Sequence, residues 1–407
     1  MELKMKQSFT VLYKKRIGLI LIAICILFSK TTIGQSSIDS VIASVLKNNK
    51  SIQANFQYLD SRKLFNKTQI FPDNPRVEYD YLKGSPENAG NQTEITVSQS
   101  FDFPTVYGKK RQLSDLQSSQ AELQFISSRQ DVLMETKMVC IELVYRNKLQ
   151  KEYEAQLANM ATILKNFEIK LDKGNGNILE VNKARLQLIA FKGEYLQNAS
   201  VINQLNVKLV SLNGGIAIEF SDTVYFILPS IPPFDELESQ NQAADPRRKS
   251  LEQERVVAQK EIELSRALAF PKFEAGYHYQ GILGQKYNGI HTGISIPLWE
   301  NNNKVKLQKS NFAFTELIMQ DHKTDQYFKF KQLYNEYQNL KIILSEYQNT
   351  LFSLNTYYLL NKALDSGSMT STEYFTEINY YADAFNSYLK VEKAYYEAIA
   401  KLYKFTL

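Results

Sequence analysis

Leu364-Asp365-Ser366-Gly367-Ser368-Met369-Thr370-Ser371-Thr372-Glu373 has a close relative 193 residues earlier, Leu171-Asp172-Lys173-Gly174-Asn175-Gly176-Asn177-Ile178-Leu179-Glu180. Each copy has a Leu-Asp-X-Gly break, a few small residues, a glutamate six positions after the first glycine, and then a long helical pattern. Glycine accepts the left-handed conformation that ends a helix, and Asn177 or Thr370 can accept the first free N–H groups of the next one. Each stretch therefore reads as the bend between two antiparallel helices.

The same offset lays Phe103-Pro104 on Ile296-Pro297, Arg111 on Lys304 and Gly214 on the last residue, Leu407. Upstream the offset is 199, pairing Lys50-Ser51-Ile52 with Lys249-Ser250-Leu251 and Phe71-Pro72 with Phe270-Pro271. A loop between the two prolines of each half can absorb the change. The chain thus reads as two copies of one unit, each a helix, a hairpin, a long helix, a bend and a returning helix. The expected division is 1–34 signal peptide, 35–214 first repeat, 215–246 connecting segment and 247–407 second repeat. Units this long are unlike solenoid repeats, whose periods run from about 20 to 50 residues.

Residues 1–34 carry Lys4, Lys6, Lys14, Lys15 and Arg16, then an uncharged run from Ile17 to Phe28, then Thr32-Ile33-Gly34. This is the pattern of a secretory signal peptide, and the run is short of the ~20 residues that span a bilayer. Cys25 follows Ile24 and not a small residue, so no lipid anchor is expected on the mature chain. The whole sequence has 48 Lys+Arg and 43 Asp+Glu, but the leader holds six of the former and one of the latter, which leaves 42 of each. The basicity belongs to the leader, and a nucleic-acid partner, which needs a lasting basic stripe, is not expected. Cys140 alone remains after cleavage, so stability must come from packing.

From 37 to 70 the pattern is helical, with Ile38, Val41, Ile42, Val45 and Leu46 on one stripe and Ile52, Phe56, Leu59 and Leu64 later. The period then falls to two over about 76–103: Val77, Tyr79 and Tyr81 alternate with Arg76, Glu78 and Asp80, and after a polar turn Ile95, Val97, Phe101 and Phe103 alternate with Thr96, Ser98, Ser100 and Asp102. Over about 272–298 a second hairpin sets Phe273, Ala275, Tyr277 and Tyr279, then Ile290, Thr292, Ile294, Ile296 and Leu298, on its apolar side. Strands with one apolar face fit a half-buried sheet in a soluble domain or transmembrane barrel strands of about 9–11 residues. The leader and the helices favour the barrel. From 105 to 172 there is no proline and one glycine, with sevenfold recurrence at Leu116 and Leu123 and at Ile126, Leu133 and Cys140. At 1.5 Å per residue such a helix is on the order of 100 Å long. A second uninterrupted helix of similar length is expected from 301 to 365.

These features resemble the outer-membrane efflux proteins of the TolC type, over about Ile38 to Leu407: the duplication, the strand ending in Phe-Pro or Ile-Pro before a long helix, and the glycine bends followed by Glu180 and Glu373. The run Gln99-Ser100-Phe101-Asp102-Phe103-Pro104-Thr105-Val106-Tyr107 looks most like members that work with heavy-metal transporters. The resemblance implies a mainly α fold with a small β-barrel, in which a homotrimer closes twelve strands in the outer membrane and its helices form a tapered tube across the periplasm. The strand count alone requires self-association but also allows a dimer. The resemblance further implies that Gly174, Asn175, Gly176, Gly367, Ser368 and Met369 dock the hairpin of a periplasmic adaptor that serves an inner-membrane transporter, and that Glu373 constricts the pore. Where relatives carry a second acid three positions on, this chain has Thr376, followed by Glu377; the usual Asn-Pro after the first helix is Asn49-Lys50. Glu373 has a second reading, as a carboxylate at a helix start.

No nucleotide-binding or nucleophile motif is present, and His278, His291 and His322 lack the spacing of a structural metal site, so neither catalysis, a cofactor nor a resident metal is expected. His278 and His291 fall on facing strands and read as lumen-facing polar residues. The 25 tyrosines divide between strands, where they suit membrane-interface girdles, and helical positions Tyr357, Tyr358, Tyr380, Tyr381, Tyr395 and Tyr396, which read as core or subunit contacts. The function expected is a passive exit duct for small solutes, drugs or metal ions. An adhesive coiled coil on a small barrel and a general porin are the competing readings.

Overall fold

The computed structural model describes residues 37–68, 70–226 and 230–407. The signal-peptide reading of 1–34 lies outside the described residues.

Helix α1 (Ser37–Asn48) buries Ile38, Val41 and Val45 as its stripe requires, but the single helix expected to 70 is broken. Asn49 separates α1 from α2 (Lys50–Thr68). Its Oδ1 accepts the N–H of Ile52 (2.9 Å) and its Nδ2 donates to Leu212 O (2.7 Å). An asparagine that caps the second helix while satisfying a carbonyl elsewhere makes the break without proline. On α2, Phe56 and Leu64 are exposed, so the second part of the expected stripe is half right.

Strands β1 (Arg76–Leu82), β2 (Gln92–Phe101), β3 (Lys272–Ile282) and β4 (Gln285–Ser295) form one antiparallel sheet in sequence order, with β1 and β4 at its edges. The two hairpins, far apart in sequence, meet through β2 and β3. Register places Val77, Val97, Tyr277 and Ile290 in one row on one face, and Glu78, Thr96, His278 and Gly289 in the next row on the other. The apolar row is open to the surroundings, from 39% exposed at Val97 to 86% at Ile290. His278 Nδ1 lies 2.9 Å from Thr96 Oγ1, and His291 sits diagonal to it, opposite Gly276. The last strand is shorter than expected. Ile296 and Leu298 lie beyond its end at Ser295, because Pro297 has no N–H to give the ladder.

Helix α3 (Pro104–Asp172) is the continuous 69-residue rod that the sequence predicts, opened by proline in its first turn. Its C-terminal half carries two further heptad rows, Leu149, Gln156 and Ile163, and Tyr153, Met160 and Phe167, all buried. Helix α4 (Ile178–Leu212) returns along it. The connecting segment inserts Phe220 and Tyr225 into a core with α1, α3 and α4, and its helix α5 (Phe234–Ala244) packs on later helices. Helix α6 (Pro246–Ala267) begins at Asp245, whose Oδ1 accepts the N–H of Arg247 and whose Oδ2 meets His322 Nε2 at 2.9 Å.

The second rod departs from expectation. It is α7 (Lys304–Leu351) and α8 (Thr356–Asp365), separated at 352–355, before α9 (Ser371–Leu402) returns. The interruption falls in Asn349-Thr350-Leu351-Phe352-Ser353-Leu354-Asn355-Thr356, where short polar side chains compete with the helical ladder: Ser353 Oγ donates to Thr350 O (2.7 Å), and Ser353 and Leu354 bond only three residues back. Glycine and proline are not needed for such a break.

At mid-height α3 and α9 are tied by ion pairs, Lys148–Glu392 (2.6 Å) and Lys393–Glu142 (2.8 Å), with Arg146 on the second oxygen of Glu142 (2.7 Å). These two cations hold the Glu142 carboxyl below its usual range despite burial, which acts the other way. Cys140 is buried in the adjoining core, where burial first and Asp222 second push its thiol up to about 12.

Candidate functional site: the paired bends

The two glycine stretches lie at the same end of the helices and are built alike, bond for bond. After α3, the N–H of Gly174 donates to Leu171 O (2.9 Å) and that of Asn175 to Lys170 O (3.0 Å). After α8, the N–H of Gly367 donates to Leu364 O (3.2 Å) and that of Ser368 to Ala363 O (3.0 Å). These paired bonds close a helix around a residue in the left-handed region, and Gly174 (φ 74°) and Gly367 (φ 71°) supply it.

Both bends rest on one apolar cluster. Met160, Ile163 and Phe167 of α3, Val181 and Ala184 of α4, Leu360 of α8, and Tyr374, Phe375 and Ile378 of α9 are all buried in it. Lys183 Nζ donates to Thr372 Oγ1 (2.8 Å) and Gln187 Nε2 to Asn379 Oδ1 (3.0 Å), which link α4 directly to α9. The structure therefore brings the expected docking residues to one end of the molecule. Gly174, Asn175, Gly367 and Ser368 are exposed there. Gly176 and Met369, which match in the repeat, are half-buried for different reasons. A Cβ on Gly176 would stand 2.4 Å from Leu171 N, whereas Met369 packs its thioether side chain into the shared cluster.

Glu373 is exposed, and its carboxylate is engaged by its own helix. Oε2 accepts the N–H and the hydroxyl of Thr370, both at 2.8 Å, while Thr370 Oγ1 accepts the N–H of Glu373 (3.2 Å). This reciprocal box holds the carboxyl below its usual range, the backbone N–H contributing most. The charged form is the one stabilised, so the contribution is present above the ordinary carboxylate range and is lost as pH falls through the lowered value. Glu180 does not repeat this, because Asn177 Oδ1 caps α4 on the N–H of Leu179 (2.9 Å). The helix-start reading thus separates the two glutamates that the sequence alone treats as equivalent.

A part-buried polar ring beneath the bends was not legible in the sequence. Asn159 Nδ2 donates to Tyr374 OH (2.8 Å), Tyr374 OH to Asn361 Oδ1 (2.7 Å), and Asn361 Nδ2 back to Asn159 Oδ1 (2.8 Å). Beside it Tyr357 OH donates to Glu152 Oε1 (2.6 Å), and burial raises that phenol's pKa far above its usual value. Of the helical tyrosines, Tyr357, Tyr381, Tyr395 and Tyr396 pack into the cores, whereas Tyr358 and Tyr380 are 58% and 68% exposed. Tyr374→Phe leaves the half-buried amides of Asn159 and Asn361 each short of a partner beside the fully buried tyrosine ring, and is expected to cost about 1 kcal/mol, read from the urea midpoint. Tyr380→Phe should stay within about 0.5 kcal/mol of the parent.

No family model and no curated protein matches the chain by sequence. Solved structures do match its fold. A crystal structure of CusC, described in terms of transmembrane channel formation, superposes with a TM-score of 0.76 at 15% identity, over 91% of this chain and 92% of that one. The outer membrane protein VceC of Vibrio cholerae gives 0.74 at 13%, over 91% and 96%. The outer membrane channel CmeC of Campylobacter jejuni gives 0.71 at 14%, over 91% and 85%. At this identity the likeness is one of fold, and the fold is that of the TolC-type outer-membrane channels, as the sequence resemblance implied.

Proposed function

We propose that three copies of this chain join their four-stranded sheets into one twelve-stranded barrel in the outer membrane, and that their helices continue it as a tube into the periplasm, forming the passive exit duct of an export system. The observation that carries this reading is the sheet. It has two unpaired edges and one apolar face open to the surroundings, while no described helix is long and apolar enough to cross a membrane. Open edges are prohibitive in lipid, where every backbone group must be paired, so closure has to come from further copies. The outer-membrane channels that share the fold support the same reading.

The bends are the proposed docking end. Gly174, Asn175, Gly367 and Ser368 expose backbone in tight turns, and beside them Ile178 and Leu179 are 52% and 62% exposed, an apolar surface suited to the hairpin of a periplasmic adaptor. An inner-membrane pump supplies the energy and selects the cargo, drugs or metal ions, so the duct itself needs no cofactor. Mass measurement in detergent is expected to give three copies; a stable monomer with intact strand content overturns the barrel. Co-purification from cross-linked membranes is expected to recover an adaptor. Recovery of surface or matrix proteins alone would favour the adhesive reading, and large constitutive ion flow through the purified assembly the porin reading.

Convergence of three tips would also bring three copies of Glu373 towards the axis, where like charges take up protons or bound cations. Glutamine can keep the box with Thr370 while removing the charge. Glu373→Gln is therefore expected to change cation block of the reconstituted channel with little change in unfolding midpoint, and Glu180→Gln to change block less. Equal and negligible changes in block would leave Glu373 a helix cap alone.

A further inference from the structure

The two halves differ where the sheet hands over to the long helix. The offset of 193 lays Thr105 on Leu298 and Val106 on Trp299. Val106 is buried, 1% exposed, in the first turn of α3. Trp299, the single tryptophan of the chain, is 82% exposed, and Ile296 and Leu298 are 64% and 69% exposed. In the first half this place is core; in the second it is an apolar projection.

The projection continues an existing face. Ile290 and Ile294 stand on the apolar side of β4, and Ile296 and Leu298 extend their spacing of two past the end of the ladder. A copy pairing on β4 would approach its free edge, in the plane of the sheet, whereas this face stands perpendicular to that edge. The segment is also fixed in place. Asn301 Nδ2 donates to Leu268 O at the end of α6 (2.6 Å), the N–H of Asn302 donates to Trp299 O (3.1 Å), and Asn303 turns the chain into α7 in the left-handed region (φ 63°). Lys272 pairs with Glu300 at 3.4 Å on the polar side of the sheet, and Lys304 stands exposed at the start of α7.

We infer that Ile296, Leu298 and Trp299 anchor the chain in the lipid leaflet on the helix side of the barrel. The aliphatic pair continues the lipid-facing surface, the indole lies at the headgroup boundary, and Lys304 faces anionic headgroups. Tryptophan suits that boundary because its ring is apolar and its N–H stays wet, and lysine stems reach from apolar surface to charge. The inference rests on the barrel reading.

Because Trp299 is the only tryptophan, its fluorescence reports on this site without labelling. The full chain, assembled in nanodiscs containing phosphatidylglycerol, is expected to show blue-shifted emission. Lipids brominated near the headgroup should quench it by roughly two-fold, those brominated deep in the acyl chain should quench it less, and acrylamide should reach it poorly. Full acrylamide access without bromolipid quenching would mean a water-exposed residue. Protection from both quenchers would mean cover by another copy, and either result overturns the anchor. Ile290→Trp in a Trp299→Phe background separates this failure from that of the barrel. Deep-brominated lipid should quench the new tryptophan strongly; if it does not, the strands are not in lipid and both readings fall.

Discussion

Gly214→Ala is expected to cost about 4 kcal/mol or more, in the exceptional range for a single substitution, and to abolish accumulation of the folded chain. Gly214 ends α4 in the left-handed region (φ 68°), and a Cβ there would stand 2.2 Å from Asn48 O, backbone that cannot swing aside. That carbonyl is held in the joint between α1 and α2. Ser44 Oγ and Asn48 Nδ2 both donate to Asn213 Oδ1, at 2.9 and 3.1 Å, and Asn49 Nδ2 donates to Leu212 O. Gly215 is the control. It too is left-handed (φ 86°), but nothing lies within 4 Å of its missing Cβ, so Gly215→Ala should cost only the conformational ~1–2 kcal/mol. Urea unfolding followed by circular dichroism compares the two. Equal, small losses would mean that the α1–α2 joint yields and does not fix the end of the first repeat.

Ile290→Arg is expected to exclude the chain from the membrane, while His291→Arg, one residue on, is tolerated. Ile290 is 86% exposed at the middle of β4, in the apolar row with Val77, Val97 and Tyr277, and His291 belongs to the opposite, polar face. An arginine facing lipid near the midplane costs about 2–4 kcal/mol per copy, whereas one facing a water-filled lumen costs little. In a closed assembly each copy adds its own penalty. The amount of each variant recovered in the outer-membrane fraction decides it, and equal recovery of both would remove the assignment of the two faces.

Much of this architecture is written locally. The switch of period from 3.6 to 2 announces the hairpins, and the absence of breakers from 105 to 172 announces α3. The bends are announced by glycines at Gly174 and Gly367, because only the left-handed conformation lets those two helices end as they do. The duplication adds a long-range fact without any structure, since a repeated stretch points to a repeated local fold, and the bonds at the two bends do repeat residue for residue.

The tertiary structure decided what depends on pairs of residues far apart. Asn49 breaks its helix because Leu212 O, 163 positions away, is there to take its amide. Asn159, Tyr374 and Asn361 form a ring only because α3, α8 and α9 meet under the tip. Glu373 and Glu180 share a motif position but not a role, since the geometry of each cap selects a different N–H. The interruption at 352–355 and the exposure of Trp299 are equally silent in periodicity. Hydrophobic period and backbone φ are properties of a residue and its neighbours, so one sequence reports them. A hydrogen bond between helices depends on how those helices are placed, and packing alone sets that.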